Sequence, residues 1–285
     1  MKKTIVVIFI CMLFSLSNFS GATHINIQNN KKGLSLNDNG YDFQLVPWND
    51  YYYMPEKQDA LACFVINISN TGSLDDTYCM TVGSIEDLVC LIDGKNADQY
   101  EPYMVPINSG EWEIVHVTTQ IYVTPEVPIG EWDVILEVYS ENNTEIKNTL
   151  NLKVNIISDF PLELWTSKSE YRPGVVFPIK AKNIGDDNVE FTVSLDIFNQ
   201  DLIYLVSLYI LGIYNLEPGE DEVIAPFTLN EEFEKLLITG KFQIGDEMYV
   251  DTLILKLKKS RGLTGNFLMR FLNNFPILAN FLNLK

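Results

Sequence analysis

Apolar and polar residues alternate strictly along several stretches of this chain. Such stretches run from Trp132 to Val138, from Leu150 to Ile156 and from Phe191 to Ile197. Successive side chains of a strand point to opposite faces, so alternation predicts strands with one buried face. No long segment before residue 260 has a clear helical period, and Gly, Pro, Asn and Asp separate the runs. The pattern predicts an all-β chain with turns between short strands.

Three short landmarks occur twice in the same order, and each is separated from its copy by 109 to 113 residues. The landmarks are Asn70-Thr71-Gly72 with Asn183-Ile184-Gly185, Ser109-Gly110-Glu111 with Pro218-Gly219-Glu220, and Gly130-Glu131-Trp132 with Gly240-Lys241-Phe242. Asn-x-Gly suits a turn between two strands, because Gly adopts positive φ freely. We expect two copies of one immunoglobulin-like β-sandwich, each with about seven short strands.

The repeat also predicts which side chains point into each sandwich. The inward set is Phe64, Ile66, Ile68, Tyr78, Met80 and Val82 in the first copy, and Phe177, Ile179, Ala181, Phe191, Val193 and Leu195 in the second. Asn67, Lys180 and Lys182 fall on the opposite faces, as do Cys63 and Cys79. Cys63 and Cys79 lie on strands of different sheets, so we expect no bond between them. A Cys79–Cys90 bridge and a buried free thiol remain alternatives.

The first residues have the order of a secretory signal peptide. Lys2 and Lys3 precede an apolar run from Ile5 to Leu16, and Ser20-Gly21-Ala22 supplies small residues before a cleavage point. The run is shorter than the roughly 20 apolar residues that a spanning helix needs. An uncleaved N-terminal anchor is the alternative. The expected location is therefore outside the cell, at the cell surface.

The expected organisation follows from these patterns. It comprises a signal peptide at 1–22, an N-terminal segment at 23–39, sandwiches at 40–157 and 158–259, and a C-terminal tail at 260–285. The formal net charge of −18 argues against binding nucleic acid or anionic lipid surfaces, since both need clusters of Lys and Arg.

At this point the chain resembles a known group of modules. The order of apolar strand, Asn-x-Gly, acidic turn, aromatic strand, Gly-Glu and Val127-Pro-Ile-Gly-Glu-Trp132 is similar to the CARDB and NEW3-type immunoglobulin-like domains of secreted bacterial and archaeal proteins. The resemblance covers about residues 40–257 and is looser in the second copy, which lacks Val-Pro-x-Gly before Gly240. It implies adhesion, spacing or binding, and not catalysis.

The tail differs in character from the rest of the chain. Apolar residues recur at helical spacing from Asn266 to Lys285, which predicts a short amphipathic helix kinked at Pro276. The tail resembles a C-terminal element of secreted archaeal surface proteins, which implies sorting or attachment; a helix packed on the second sandwich is the alternative. The residues that carry this resemblance are Arg270, Phe271, Asn273, Phe275, Pro276, Leu278 and Leu282.

Candidate chemistry is sparse. His24 and His116 are the only histidines of the chain, and neither has the setting of a catalytic triad, so we expect no enzyme. Calcium is the one cofactor worth considering, because paired acidic residues follow both Asn-x-Gly turns. These candidate ligands are Asp75, Asp76, Asp186 and Asp187. Acidic turns that are merely solvated are the alternative.

Further candidates lie on the expected surface. Asn67 and Asn142 begin Asn-x-Ser/Thr sequons for glycosylation. Trp48 and Tyr52 are candidates for stacking on a ligand, with an edge-strand plug as the alternative. The apolar run from Leu202 to Tyr214 predicts either a buried strand pair or a face that contacts a partner or the first sandwich.

The first functional hypothesis is an exported, non-catalytic surface protein of structural or adhesive type, retained or sorted through its tail. Its partners would be other surface proteins or glycans, and only the tail would contact the membrane or envelope. The second hypothesis is a secreted binding module for glycan or protein ligands. A secreted hydrolase inhibitor is a third, although no loop offers a clear bait residue.

Overall fold

The computed structural model describes residues 40–83, 88–121 and 128–258. Every regular element in these ranges is a strand, so the prediction of an all-β chain of sandwiches is confirmed for them. Within the same ranges, no helix is long and apolar enough to cross a bilayer. The expected signal peptide and the expected C-terminal helix both lie outside the described residues.

The first sandwich has the strand order of an immunoglobulin-like domain. Among the described residues it contains β1 (Phe43–Pro47), β2 (Tyr51–Pro55), β3 (Leu61–Asn70), β4 (Asp76–Val82), β5 (Leu88–Ile92), β6 (Tyr103–Ile107), β7 (Trp112–Ile121), β8 (Gly130–Ser140) and β9 (Lys147–Ile157). One sheet has the order β1-β3-β7-β5, and the facing layer has the order β2-β9-β8-β4-β6. These orders correspond to strands A-B-E-D and, within the second layer, G-F-C of the immunoglobulin fold.

The second sandwich repeats this plan with fewer strands. Among the described residues it contains β10 (Leu162–Trp165), β11 (Glu170–Tyr171), β12 (Phe177–Asn183), β13 (Val189–Asn199), β14 (Tyr204–Leu216), β15 (Asp221–Phe227), β16 (Lys235–Ile244) and β17 (Glu247–Leu257). Its layers have the orders β10-β12-β15 and β14-β13-β16-β17. In both sandwiches a short strand adds in parallel to the last long strand: β2 to β9, and β11 to β17.

Each sandwich has its own apolar core, formed where the inward faces of its two layers meet. All twelve residues that alternation assigned to inward faces are buried in one of these two cores. Asn67, Lys180 and Lys182 are half-buried on the other faces. Because the side-chain period of a strand is two, the apolar pattern sets the strand's orientation toward the core.

The two Asn-x-Gly landmarks form matching hydrogen-bonded clamps. The side-chain amide nitrogen of Asn70 donates to the carbonyl oxygens of Leu74 and Ile107 at 2.9 Å each. The side-chain oxygen Oδ1 accepts from the backbone amide of Gly72 at 3.0 Å. The Asn70 carbonyl accepts from the Gly110 amide at 3.0 Å. One buried side chain thus joins the turn after β3 to the end of β6, and the Gly-Glu landmark closes over it.

The second sandwich uses the same device. The Asn183 amide nitrogen donates to the carbonyl oxygens of Asp187 at 2.8 Å and Leu216 at 2.9 Å, and Oδ1 accepts from Gly185 at 3.0 Å. The Asn183 carbonyl accepts from the Gly219 amide at 2.9 Å. The repeated landmarks are therefore hydrogen-bonding partners of one another, which explains why they recur together.

Replacing Asn70 with Ala should destabilise the first sandwich by about 2–4 kcal/mol, because two buried carbonyls would lose their donor. Urea unfolding of the purified chain measures this change. Asn67→Ala is the matched control, since it lies on the same strand but is half-buried and bonds no carbonyl in the structure; it should change stability by less than about 0.5 kcal/mol. Equal effects of the two substitutions would contradict the clamp.

The two sandwiches share one continuous sheet of ten strands. The join is a parallel bridge between β17 and β2, in which Tyr249 is paired with Tyr53. Their rings stack at 4.8 Å, and both hydroxyls donate to Glu247, at 3.0 Å from Tyr53 and 2.6 Å from Tyr249. Phe160, in the short connection between the sandwiches, packs edge-on against Tyr249 at 5.6 Å. The connection is therefore part of the packed junction.

A third apolar cluster lies between the two main cores. Its buried members are Leu61, Cys63, Phe198, Leu202 and Leu237. They come from β3 in the first sandwich and from β13, the turn after it and β16 in the second. This cluster joins the outward face of one sandwich to the outward face of the other.

Ion pairs from the β2–β3 connection border the third cluster. Lys57 pairs with the buried carboxylate of Asp251, and Asp59 pairs with Lys235 at 3.2 Å. Both pairs cross from the first sandwich to the second. Apolar packing and polar contacts therefore hold the two bodies together on the same side of the junction.

Candidate binding cleft and strand edge

A cleft of about 500 Å³ opens beside this third cluster, between the two sandwiches. Alternation explains which side chains reach it. On β3, Cys63 and Val65 point away from the first core, and on β13, Ser194 and Asp196 point away from the second. The outward faces of the two sandwiches meet there, so residues that alternation alone assigns to water become cleft and interface residues.

The floor of the cleft contains a buried ion pair. Lys241 Nζ lies 2.6 Å from Asp196 Oδ2, and the two side chains are only 11% and 4% exposed. Ser207 donates to the other carboxylate oxygen of Asp196. Because both charges are withdrawn from water, removing one partner would leave the other uncompensated, which typically costs several kcal/mol.

Lys241 remains charged in this setting. Burial alone would lower its pKa, but the Asp196 carboxylate 2.6 Å away acts in the opposite direction, and the net effect raises the pKa of Lys241. Lys241 Nζ also lies 5.6 Å from the centre of the Tyr52 ring, within cation–π range. Lys241 and Asp196 therefore offset each other's charge.

Cys63 sits beneath this pair. The sequence placed it on an outward face, and it does point away from the first core, but the second sandwich covers it completely. Burial raises the pKa of its thiol to about 12, so the thiol stays protonated at neutral pH.

Cys63, Cys79 and Cys90 all carry thiols, and the Cys90 sulfur lies 3.4 Å from the Thr119 hydroxyl. Of the two alternatives considered for these cysteines, the Cys79–Cys90 bridge is wrong, and Cys79 and Cys90 are buried thiols.

His116 has structural partners on both sides. Its Nδ1 lies 3.1 Å from Asp93 Oδ1, and its ring stacks on Tyr204 of the second sandwich at 4.1 Å. These contacts give His116 a structural role at the junction of the two sandwiches. His24 lies outside the described residues.

Two exposed aromatic rings border the cleft, one from each sandwich. Trp48, just after β1, is 54% exposed, and Tyr209 on β14 is 65% exposed. Tyr52, the other candidate for stacking, is buried at 3%, with Phe64 and Lys241 packed against its ring. A free stacking face is therefore present at Trp48 and absent at Tyr52, because β2 inserts the Tyr52 ring into the junction.

Strand β14 forms one wall of the cleft and also the edge of the ten-stranded sheet. It pairs with β13 on one side, and no described strand pairs with its other side. The segment from Leu202 to Leu216 contains no charged residue. Its register shifts beside β13, where Leu211 and Ile213 are 90% and 71% exposed. The apolar run is therefore not a pair of strands buried in the core, and it also differs from a surface strand whose outer face carries charged side chains.

Two of the four candidate calcium ligands accept hydrogen bonds in and around the first acidic turn. Asp75 accepts a hydrogen bond from the Ser109 amide at 2.9 Å, and Asp76 accepts from Thr77 and Asn142 at 2.8 and 2.9 Å. Asp186 and Asp187 are exposed in the equivalent turn of the second sandwich. Within residues 40–83, 88–121 and 128–258, no group of three or more His, Cys, Asp or Glu side chains could hold a metal ion.

The two sequons occupy different settings. Asn142 is exposed in the turn after β8, and its amide nitrogen donates to Asp76. Asn67 is half-buried on β3. Glycosylation at either site stays a prediction. The tail residues named above lie outside the described residues.

Sequence reasoning missed the paired charges of the cleft floor. Asp196 and Lys241 each occupy an outward position on an alternating strand, where a charged side chain is expected to be exposed to water. Tyr209 was part of the apolar run but was not singled out as a cleft residue. The only sequence signal near the site was the long stretch without charge from Leu202 to Leu216.

No protein-family model and no curated protein matches this chain. Among solved structures, the CupB2 chaperone of Pseudomonas aeruginosa is similar at 8% identity and a TM-score of 0.26, covering 74% of this chain and all of that one. A chaperone–tip adhesin complex of CFA/I fimbriae biogenesis is similar at 12% identity and a TM-score of 0.26, covering 76% and 100%. A PapD-like domain of human CEP192 covers 48% of this chain and 96% of its own, at 13% identity and 0.27. Likenesses this distant carry no functional argument.

Gly94 in the first sandwich lies close to Asp201 and Ile203 in the second, and a substitution at Gly94 tests this contact. A Cβ atom there would lie 2.6 Å from the carbonyl oxygen of Asp201 in the other sandwich, and φ is +75°. Gly94→Ala should therefore lower stability by about 1–3 kcal/mol through backbone strain and overpacking together, and should speed hydrogen exchange at the junction.

Gly110→Ala is the matched control for Gly94→Ala. Gly110 has φ of +76°, but nothing lies within 4 Å of the added Cβ. It reports the backbone strain alone, about 1 kcal/mol. If urea unfolding gives the same loss for both variants, the two sandwiches do not press together at this point.

Proposed function

We propose that this protein is an exported, non-catalytic surface protein that binds another protein through the open edge of β14. In this proposal the tail at 260–285 retains or sorts the chain at the cell envelope. The observation that carries the proposal is the uncharged edge of β14, which ends a ten-stranded sheet and with which no strand of the described residues pairs.

An exposed strand edge is a ready template for another strand, because its outward N–H and C=O groups lack partners. Proteins that remain solitary usually protect such edges with charges, Pro or very short strands. β14 has thirteen residues and none of these charges, although a register shift interrupts it near Leu211. An extended peptide that adds to this edge would gain main-chain hydrogen bonds and apolar contacts together.

The partner's chemistry follows from the strand and its surroundings. The exposed side chains Leu211 and Ile213 favour an uncharged, apolar segment. The net charge of −18 disfavours an acidic partner approaching over the rest of the surface. A neutral or basic surface protein with an extended apolar segment fits both features.

The tail supports retention at the envelope. Residues 259–285 include four basic residues and no acidic one, whereas the whole chain has 20 basic and 38 acidic residues. A basic, apolar segment on an acidic protein is suited to an anionic envelope surface that the rest of the chain would avoid.

Strand addition predicts that charges placed on the β14 edge abolish partner binding. The double variant Leu211→Lys/Ile213→Lys should reduce binding of purified, labelled protein to cells that lack the native chain by at least about fivefold, because a buried lysine would oppose the added strand. Flow cytometry measures the bound label. Val176→Lys is the control, since Val176 is 58% exposed in a loop of the same sandwich. Full binding by the double variant would refute the proposal.

Retention through the tail predicts that a chain ending at Lys258 appears in the culture medium, while the full chain stays with the cells. Cell fractionation and immunoblotting measure the two pools. Thr264→Ala, a change within the tail but outside its apolar motif, should remain cell-associated. If the shortened chain is retained as well as the full chain, the tail does not attach the protein.

A further inference from the structure

We propose that the cleft between the two sandwiches is a binding site for a neutral saccharide. The geometry that points to this ligand is the combination of two exposed aromatic rings at the rim and hydrogen-bonding side chains on the floor. This site is separate from the outer edge of β14, although β14 provides one of its walls.

The rim suits the apolar faces of sugar rings. A pyranose ring presents C–H groups on its faces and hydroxyls around its edge, so an aromatic ring packs against the face without hindering the hydroxyls. Trp48 and Tyr209 line the cleft from different sandwiches and leave about half or more of their surface free. A ligand between the sandwiches could contact both.

The floor suits the hydroxyl groups. Asn49, Ser194 and Ser207 line the cleft together with the Lys241–Asp196 pair. Amide, hydroxyl and paired charged groups provide both donors and acceptors, which a polyhydroxylated ligand can satisfy at once. Ser207 already donates to Asp196, and Asn49 already donates to the Tyr51 carbonyl and accepts from the Asp50 amide, so a ligand would use the remaining lone pairs and N–H group of these side chains.

Charge selects a neutral ligand over an ionic one. Lys241 and Asp196 neutralise each other, so the floor has no unpaired cation to attract an anion. The chain's net charge of −18 further opposes acidic sugars. A cationic ligand would have to compete with Lys241 for Asp196, whose other oxygen already accepts from Ser207.

The cleft is held in a fixed shape before any ligand arrives. The Tyr53–Tyr249 stack, the Lys57–Asp251 pair and the Lys235–Asp59 pair all join the sandwiches beside it. Binding to a preformed site avoids the entropy loss of ordering loops. Weak individual contacts to a sugar can then add up to measurable affinity.

Isothermal titration of the purified full chain with neutral trisaccharides tests the proposal. The probes are maltotriose, cellotriose, mannotriose and chitotriose, with triglucuronate as an acidic counterpart and a neutral apolar heptapeptide as a protein-like one. We expect at least one neutral trisaccharide to bind, and Trp48→Ala and Tyr209→Ala each to weaken it at least about tenfold, which is 1.4 kcal/mol.

Trp112→Ala is the matched control, because Trp112 is 58% exposed but does not line the cleft. It should bind within about twofold of the unaltered chain, and so should Leu211→Lys/Ile213→Lys, which alters only the strand edge. Equal loss with Trp112→Ala, tighter binding of triglucuronate or of the heptapeptide, or no binding of any neutral trisaccharide would overturn the proposal. Because the edge variant is measured separately on cells, failure here leaves strand addition at β14 untouched.

Discussion

The constraint on which this structure depends is that each sandwich covers part of the outward face of the other. In a solitary sandwich, each sheet buries one face and leaves the other in water. Here the outward faces of β3 and β13 press together, with Leu61, Cys63 and Phe198 in a cluster of their own. The continuous sheet through Tyr53 and Tyr249 and the buried pair of Lys241 and Asp196 belong to the same junction. The site exists only because two sandwiches meet.

Within each sandwich, a single buried asparagine provides a comparable constraint. Asn70 and Asn183 satisfy carbonyl groups on two neighbouring segments and hold the Asn-x-Gly turn closed. No apolar side chain could replace them without leaving these carbonyls unsatisfied. The same solution at equivalent places in both sandwiches accounts for the spacing of the landmarks in the sequence.

The two proposed interactions use the features that this architecture leaves uncovered. A stacked pair of sandwiches that shares a sheet must end somewhere, and β14 is one of its ends. The edge offers main-chain groups to a protein strand, whereas the cleft offers aromatic and polar side chains to a small polar ligand. The two surfaces share β14 but use different parts of it, so one protein could hold both partners together.

The sequence by itself determined the strands, their inward faces and the repeated turns, because these depend on a two-residue period and on local turn chemistry. Phe64, Ile66 and Ile68 are buried as their alternation requires. Only the tertiary structure decided which residues on the outward faces are covered by the other sandwich. Cys63, Asp196 and Lys241 have the same local pattern as solvated positions such as Glu190, and nothing in their neighbours along the chain indicates that another sandwich covers them. Burial of an outward face depends on contacts between residues well over a hundred positions apart, such as Cys63 and Leu237, and a local pattern does not contain that information.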